Sequence, residues 1–353
     1  MKPCWLRIGM IFSARSAFSA FAAFAAFAAL AALTGCGSSA KPARVILPAG
    51  ASFSAVTDSL AAHQVIDQPR VFKLLARVRG VDRTAHAGVY EFPAGTTPWK
   101  ALTMLSTGQK AALRFTVPEG LTIPDVAALA AEKLGIRADS FIAAARDGSA
   151  ASAVVGDQVP SFEGFLRPET YLVPADIKAR ELVRVMAEGF KSEWRPEWIG
   201  RLDSLKMSRL ELVTLASIIE GEARIDEERE TIAGVYHNRL RIGMPLQADP
   251  TVQYAITLKT GKRKPRLFHR DYAVQSPYNT YLNPGLPPGP VNSPSRRSIE
   301  AALYPASVKY LYFVAGPDGR HVFSRTYNEH LRAIRKIRRD SGAARQRGSG
   351  GQD

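Results

Sequence analysis

Ser208-Arg209-Leu210-Glu211-Leu212-Val213-Thr214-Leu215-Ala216-Ser217-Ile218-Ile219-Glu220-Gly221 is the stretch from which the rest of the chain is best read. Ser208 followed three residues later by Glu211 is a capping box, so a helix starts here. Leu210, Val213, Leu215, Ala216, Ile218 and Ile219 occupy more than one face of that helix, which marks it as buried rather than amphipathic. It runs into Glu220, with Gly221 placed as its stop. A second helix begins near Asp226, with glutamates in its first turn, where the macrodipole favours them. It presents Ile232, Ala233, Val235, Tyr236 and Leu240 on one face and ends at Gly243. A buried helix with a partner packed on it requires a helix-rich domain around them.

Toward the N-terminus the pattern changes. A short β-like run, Pro-x-Gly, a Ser or Thr and an apolar helical stretch recur three times. The copies are Val45-Ile46-Leu47-Pro48-Ala49-Gly50-Ala51-Ser52 before a helix at 53–63, Val89-Tyr90-Glu91-Phe92-Pro93-Ala94-Gly95-Thr96-Thr97 before 98–105, and Phe115-Thr116-Val117-Pro118-Glu119-Gly120-Leu121-Thr122 before 123–134. Pro and Gly turn the chain out of each strand, and Ser52, Thr97 or Thr122 is placed to cap the helix that follows. Such units resemble LysM-like modules, which bind glycans containing N-acetylglucosamine; a packing repeat without a ligand is the alternative. Further on, 138–157 reads as an Ala-rich helix running into a loop, and 177–194 as a helix. Beyond Leu331 the chain turns basic and polar, a frayed tail by composition. The fold class expected is α+β: a small strand–turn–helix subdomain at 45–112 and a mixed, helix-rich catalytic domain at 113–335, with a basic tail at 336–353.

The first residues are an export segment. Lys2, Arg7 and Arg15 precede a run of almost pure Ala, Phe and Leu from 17 to 33 that closes on Leu33-Thr34-Gly35-Cys36. Leu, a small residue, Gly and Cys resemble a bacterial lipobox, which makes Cys36 a lipidation candidate; the alternative is an uncleaved single-pass helix. Either way residues 1–36 tether the body outside the cytoplasm, and 37–44 form a small-residue linker. The chain has 353 residues and a net charge of +15, with two cysteines, Cys4 and Cys36, both in the export segment. The exported body therefore has no disulfide, no thiol chemistry and no Cys-based zinc site. Export also makes nucleic acid an unsuitable partner for the positive charge and leaves membrane surface and cell wall.

The candidate chemistry lies around the end of the first helix. An acid there meets the negative pole of the dipole and an apolar wall, which would raise the pKa of Glu220 toward that of a general acid. Glu222 is its rival, but two residues on it points away along a helix and reads as a residue that orients or packs. Leu246-Gln247-Ala248-Asp249-Pro250-Thr251-Val252, Ser276-Pro277-Tyr278-Asn279-Thr280-Tyr281 and Gly285-Leu286-Pro287-Pro288-Gly289-Pro290 add a second concentration of polar, aromatic and turn-forming residues. Tyrosine faces and asparagine amides suit sugar rings, whereas the Pro-Pro segment reads as structural turn. No zincin, nucleophile-elbow or Walker motif is present, and the six histidines stand at no metal-ligand spacing. No cofactor and no metal are expected.

Taken in order, these motifs resemble those of the endolytic murein transglycosylases, the YceG-like proteins. The resemblance rests on Phe162-Glu163-Gly164-Phe165 with Pro168-Glu169-Thr170-Tyr171, Ala216-Ser217-Ile218-Ile219-Glu220, Asn238-Arg239-Leu240-Arg241-Ile242-Gly243-Met244-Pro245-Leu246-Gln247 and Asp249-Pro250-Thr251-Val252. Tyr278-Asn279-Thr280-Tyr281, Gly285-Leu286-Pro287-Pro288-Gly289 and Tyr310-Leu311-Tyr312-Phe313-Val314 complete it, over about residues 45–334. The chain departs from the family at its lipobox-like end, where a transmembrane helix is usual, at Arg167, where an aromatic is frequent, and at Gly221, where a basic residue is common.

The resemblance implies a membrane-anchored, periplasmic lyase that cuts nascent peptidoglycan strands internally and ends their elongation. Its partners would be glycan strands, the membrane and peptidoglycan synthases. It puts the essential acid on Glu220 and substrate contacts on Glu163, Glu222, Gln247, Asp249, Tyr278, Asn279 and Tyr281. One carboxyl suffices because the nucleophile is the 6-hydroxyl of the cleaved sugar itself, already held in place. A wall-binding scaffold without activity and a muramidase that adds water are the alternatives.

Overall fold

The computed structural model describes residues 41–349 apart from residue 49, with side chains described as far as 340. The export segment and Cys36 lie outside the described residues. Among the described residues no helix is long and apolar enough to cross a membrane. The protein is α+β, and its described residues form helices and three two-stranded sheets. The chain divides into two units, one running through Ala112 and including Pro174–Asp176, the other Leu113–Val173 with the chain from Ile177 onward.

The first unit is ordered as β1 (Ala43–Leu47), α1 (Phe53–Ala62), α2 (Pro69–Arg79), α3 (Val81–Thr84), β2 (Gly88–Phe92) and α4 (Pro98–Thr107). β1 and β2 pair antiparallel with Val45 opposite Tyr90. Strand alternation sets the core: Val45 and Leu47 are buried while Ile46 faces solvent. Ser52 caps α1 by accepting from the Ala55 N–H, and Thr97 caps α4 by accepting from the Lys100 N–H. Leu60, Phe72, Tyr90, Phe92, Leu102 and Leu105 fill the centre.

The second unit begins with β3 (Ala112–Thr116), which pairs with β4 (Thr170–Pro174) across α5 (Ile123–Leu134), α6 (Ala138–Ala145) and α7 (Gly148–Val155). It continues through α8 (Ala179–Glu193), α9 (Pro196–Leu205), α10 (Arg209–Glu222), α11 (Arg229–Arg241), α12 (Asp249–Thr260) and α13 (Arg296–Leu303). A hairpin of β5 (Tyr312–Ala315) and β6 (His321–Ser324) and the helix α14 (Tyr327–Ser349) close it. α10 is the axis: every residue from Leu212 to Ile219 is buried, and α11, α12 and α13 pack around it. Its capping box forms, with Ser208 and Glu211 bonded reciprocally.

Four sequence expectations change. The three-fold repeat is one of local turn chemistry, because its first two strands pair with each other whereas the third pairs with β4. The Ala-rich segment is two helices, broken where Asp147 turns to cap α7. α10 does not stop at Gly221 but carries Glu222 before it ends. The basic segment read as a frayed tail is helical through Ser349.

Candidate active site

Glu220 lies near the end of α10 with its side chain 8% exposed. Arg229 at the start of α11 faces it, donating from Nη1 to Oε2 at 3.1 Å and from Nη2 to Oε1 at 3.3 Å. Three more donors come from the N-terminus of α13. They are the Ser295 N–H at 2.9 Å, the Ser295 hydroxyl at 2.5 Å and the Ser298 hydroxyl at 2.8 Å, all on Oε2. The apolar wall expected around this acid is therefore absent at the carboxyl group itself. Burial of α10 carries Glu220 inward, and there it meets a guanidinium and a helix start.

One half-turn on, Glu222 opens into a different place. It lines a cavity of about 470 Å³ together with Gln247, Asp249, Tyr281, Arg239 and His321. Tyr236 donates to Glu222 at 3.2 Å. Burial, with the neighbouring Asp249 charge adding to it, pushes the Glu222 carboxyl up to about 7. Asp249 begins α12 and accepts from Tyr281 at 2.7 Å and from Tyr272 at 3.4 Å. Gln247 holds φ +49, a left-handed backbone that a side-chain-bearing residue adopts at a penalty. Its N–H donates to the Thr280 carbonyl, and the Ala248 N–H donates to the Thr280 hydroxyl. Thus four residues expected to hold substrate, Glu222, Gln247, Asp249 and Tyr281, share one polar cavity, reached from three separate segments.

Gly221 brings these segments together. A Cβ there would lie 2.5 Å from Cγ of Pro250, so only glycine lets the last turn of α10 meet the first turn of α12. Gly164 plays a similar part, with φ +80 and no room for a Cβ against Pro290, which agrees with a structural role for the proline-rich segment.

Glu163, Tyr278 and Asn279 belong elsewhere. Glu163 is 4% exposed and accepts from the Ile123 N–H at the start of α5 and from the Tyr254 hydroxyl at 3.0 Å. Burial pushes it up to about 8 despite those donors. Tyr278 packs edge-on against Tyr254. Asn279 is fully buried, donating to the Tyr272 and Val274 carbonyls and accepting from the Tyr281 N–H. Glu163 and Asn279 spend these hydrogen bonds inside the chain, where they brace α5 and the Tyr281 loop outside the cavity of Glu222.

Sequence reasoning missed Arg229, Ser295, Ser298, Arg239 and the pair Glu228–His321. Arg239 is buried and bonds the Leu246 and Leu311 carbonyls, tying α11 to the cavity wall. His321 on β6 gives its N–H to Glu228 Oε1 at 2.9 Å and sets Nδ1 2.7 Å from Oε2. No spacing signals these partners, since Ser295 and His321 are some seventy-five and ninety-three residues from the acids they meet. His237, in contrast, bonds the Ala302 carbonyl and serves packing.

The model of the YceG-like family matches residues 45–336, and the chain belongs to that family. It is 33% identical over 312 residues to the endolytic murein transglycosylase of Bacillus subtilis (strain 168), covering 82% of this chain and 83% of that protein. It is 27% identical over 328 residues to the protein of the same name from Streptococcus pneumoniae serotype 2 (strain D39), of which the match spans 58%. A crystal structure of a YceG-like protein of Listeria monocytogenes superposes with a TM-score of 0.57 at 30% identity, covering 83% of this chain and 98% of that one.

Proposed function

We propose that this protein is a lytic murein transglycosylase that cuts nascent glycan strands internally, between N-acetylmuramic acid and N-acetylglucosamine, and so ends their elongation. The observation that carries this reading is the polar cavity at the end of α10, lined by Gly221, Glu222, Gln247, Asp249 and Tyr281 and next in the chain to the buried Glu220, in a chain similar over most of its length to proteins named for that activity. Residues 1–36 would hold the body at the outer face of the inner membrane, through a lipid on Cys36 or a single-pass helix, with peptidoglycan synthases as neighbours. The first unit, an antiparallel strand pair with helices between and after its strands, would supply the LysM-like glycan-binding role suggested by its turns.

In this mechanism Glu220 is the single acid and base. Its proton passes to the bridging oxygen as the bond to C1 of N-acetylmuramic acid breaks. The 6-hydroxyl oxygen of the same sugar bonds to C1, and its proton returns to Glu220, leaving a 1,6-anhydro end and consuming no water. The Ser295 and Ser298 hydroxyls can donate to the carboxylate or accept from the acid, so they serve both halves of the cycle. Arg229 holds the charge left after the first transfer. Gln247, Asp249 and Tyr281 orient the strand.

A second reading gives the proton to Glu222, favoured by its place in the cavity and its pKa of about 7, near the pH at which a general acid works best. The two carboxyls are told apart by Glu220→Gln and Glu222→Gln, each incubated with peptidoglycan and its products weighed by mass spectrometry. The proposal expects Glu220→Gln to lose anhydro products by about a hundred- to ten-thousand-fold, with Glu222→Gln keeping most turnover. The reverse order moves the acid to Glu222. Reducing ends from the unaltered protein would make it a hydrolase, and untouched glycan a scaffold.

A further inference from the structure

The mechanism leaves unused the most basic segment of the second unit. Lys259, Lys262, Arg263, Lys264, Arg266 and Arg270 fall within twelve residues between the end of α12 and the 3-10 turn His269–Ala273. The one acid nearby, Asp271, is taken by Lys264 at 2.7 Å and by the Phe268 N–H. Arg263 is spent on the Gly120 carbonyl. Lys259 and Lys262 are exposed and have no carboxylate in ion-pair range among the described residues.

These cations are not spread over a flat face. Lys259, Lys262, Arg263, Lys264 and Arg270 line a cavity of about 620 Å³ that shares the wall residue Pro265 with the cavity of Glu222 and Asp249. The next residues, Arg266 and Leu267, already belong to the Glu222 cavity. Segment 264–267 is thus a partition, with the polar sugar-sized cavity on one side and a cationic one on the other. Phe268 stiffens it, stacked under the Lys264 ammonium and the Arg266 guanidinium at 5.1 and 5.6 Å.

We infer that the cationic cavity lined by Lys259 and Lys262 is a subsite for the carboxylates of the peptide stems that branch from the glycan strand. The inference rests on the transglycosylase reading of the neighbouring cavity. A strand lying beside Asp249 and Tyr281 carries its peptide on the muramic acid, so the side chain leaves the sugar cavity within one residue of the cut. A free carboxylate on that branch then crosses the partition to unpaired ammonium groups. Because stems recur along the strand, such a subsite engages internal positions, whereas an anion at the strand terminus would not.

The test uses the full-length protein with Lys259→Gln/Lys262→Gln and the charge-preserving Lys259→Arg/Lys262→Arg. Both are assayed for binding and turnover on strands with intact stems and on strands stripped of stems by an amidase. The unaltered protein should bind stem-bearing strands more tightly than stripped ones, and the glutamine variant should lose about five- to tenfold on the former alone, by raising KM with kcat unchanged. The arginine variant should behave as the unaltered protein, and added salt should erase the difference. Equal binding of both strands, or a glutamine variant indistinguishable from the parent, overturns the inference while leaving the transglycosylase reading intact. If neither strand is cut but the stem-dependent binding and its loss persist, the transglycosylase reading fails and the subsite stands. A glutamine variant that binds strands normally but releases phosphatidylglycerol vesicles makes the patch a membrane contact and overturns it.

Discussion

Glu220 accepts from a guanidinium and two serine hydroxyls, Glu222 from a tyrosine, and Glu163 from a helix start and a tyrosine. The burial of Glu163 gives the fold a pH dependence of its own. Burial pushes the Glu163 carboxyl up to about 8 from an ordinary 4.5, so between those values the folded chain holds a proton that the unfolded chain has lost. Stability from this group is therefore present at low pH and falls as pH rises from about 4.5 to about 8. Glu163→Gln keeps an acceptor for Ile123 and Tyr254, and urea melts of the variant should show a flatter decline over that window; an unchanged slope would contradict the assignment. Gln247→Gly relieves the left-handed backbone, worth roughly 1 kcal/mol before the glycine's own entropy is subtracted, so it should melt no lower than the parent while binding strands more weakly. Glu220 stood out only modestly, as an acid near the end of an apolar helix, and the family resemblance is what put the essential acid there. Its partners were not, because Ser295 and Ser298 reach it only through tertiary packing, and those partners replace the apolar wall that the sequence suggests.

Elements repeat the same division between local and distant causes. Ser52, Thr97, Thr122 and Ser208 each cap the helix their position announces, because capping depends on four consecutive residues. Ser208→Ala should cost about 1 kcal/mol in a denaturant melt. Strand pairing has no such local rule, so β3 leaves the pair formed by its two look-alikes and joins β4. The close approach of α10 and α12 was likewise hidden behind Gly221, whose position after Glu220 resembles a helix stop. Gly221→Ala should force the Pro250 ring aside, destabilise the protein by about 1–3 kcal/mol and slow turnover by moving Glu222 against Asp249. A melt and a turnover rate equal to the parent's would show that the two helices separate freely.

The molecule as a whole carries a strong positive charge, +15 over the chain. Attraction of that order draws the protein to anionic wall polymer and is screened by salt, so sedimentation with peptidoglycan should weaken as ionic strength rises from about 0.05 M to about 0.5 M. Mass measurement of the membrane-extracted mature protein decides between acylation of Cys36 and an uncleaved helix. Fold class and the order of motifs were readable from sequence because caps, turns and apolar periodicity are local. The cavity was not, since Glu222, Gln247, Asp249 and Tyr281 converge from three segments. The central claim is that the strand is opened by its own hydroxyl, and it is tested most directly by digesting peptidoglycan in water enriched in heavy oxygen. The account predicts anhydro ends free of label, lost with Glu220→Gln; reducing ends carrying one heavy oxygen each would contradict it.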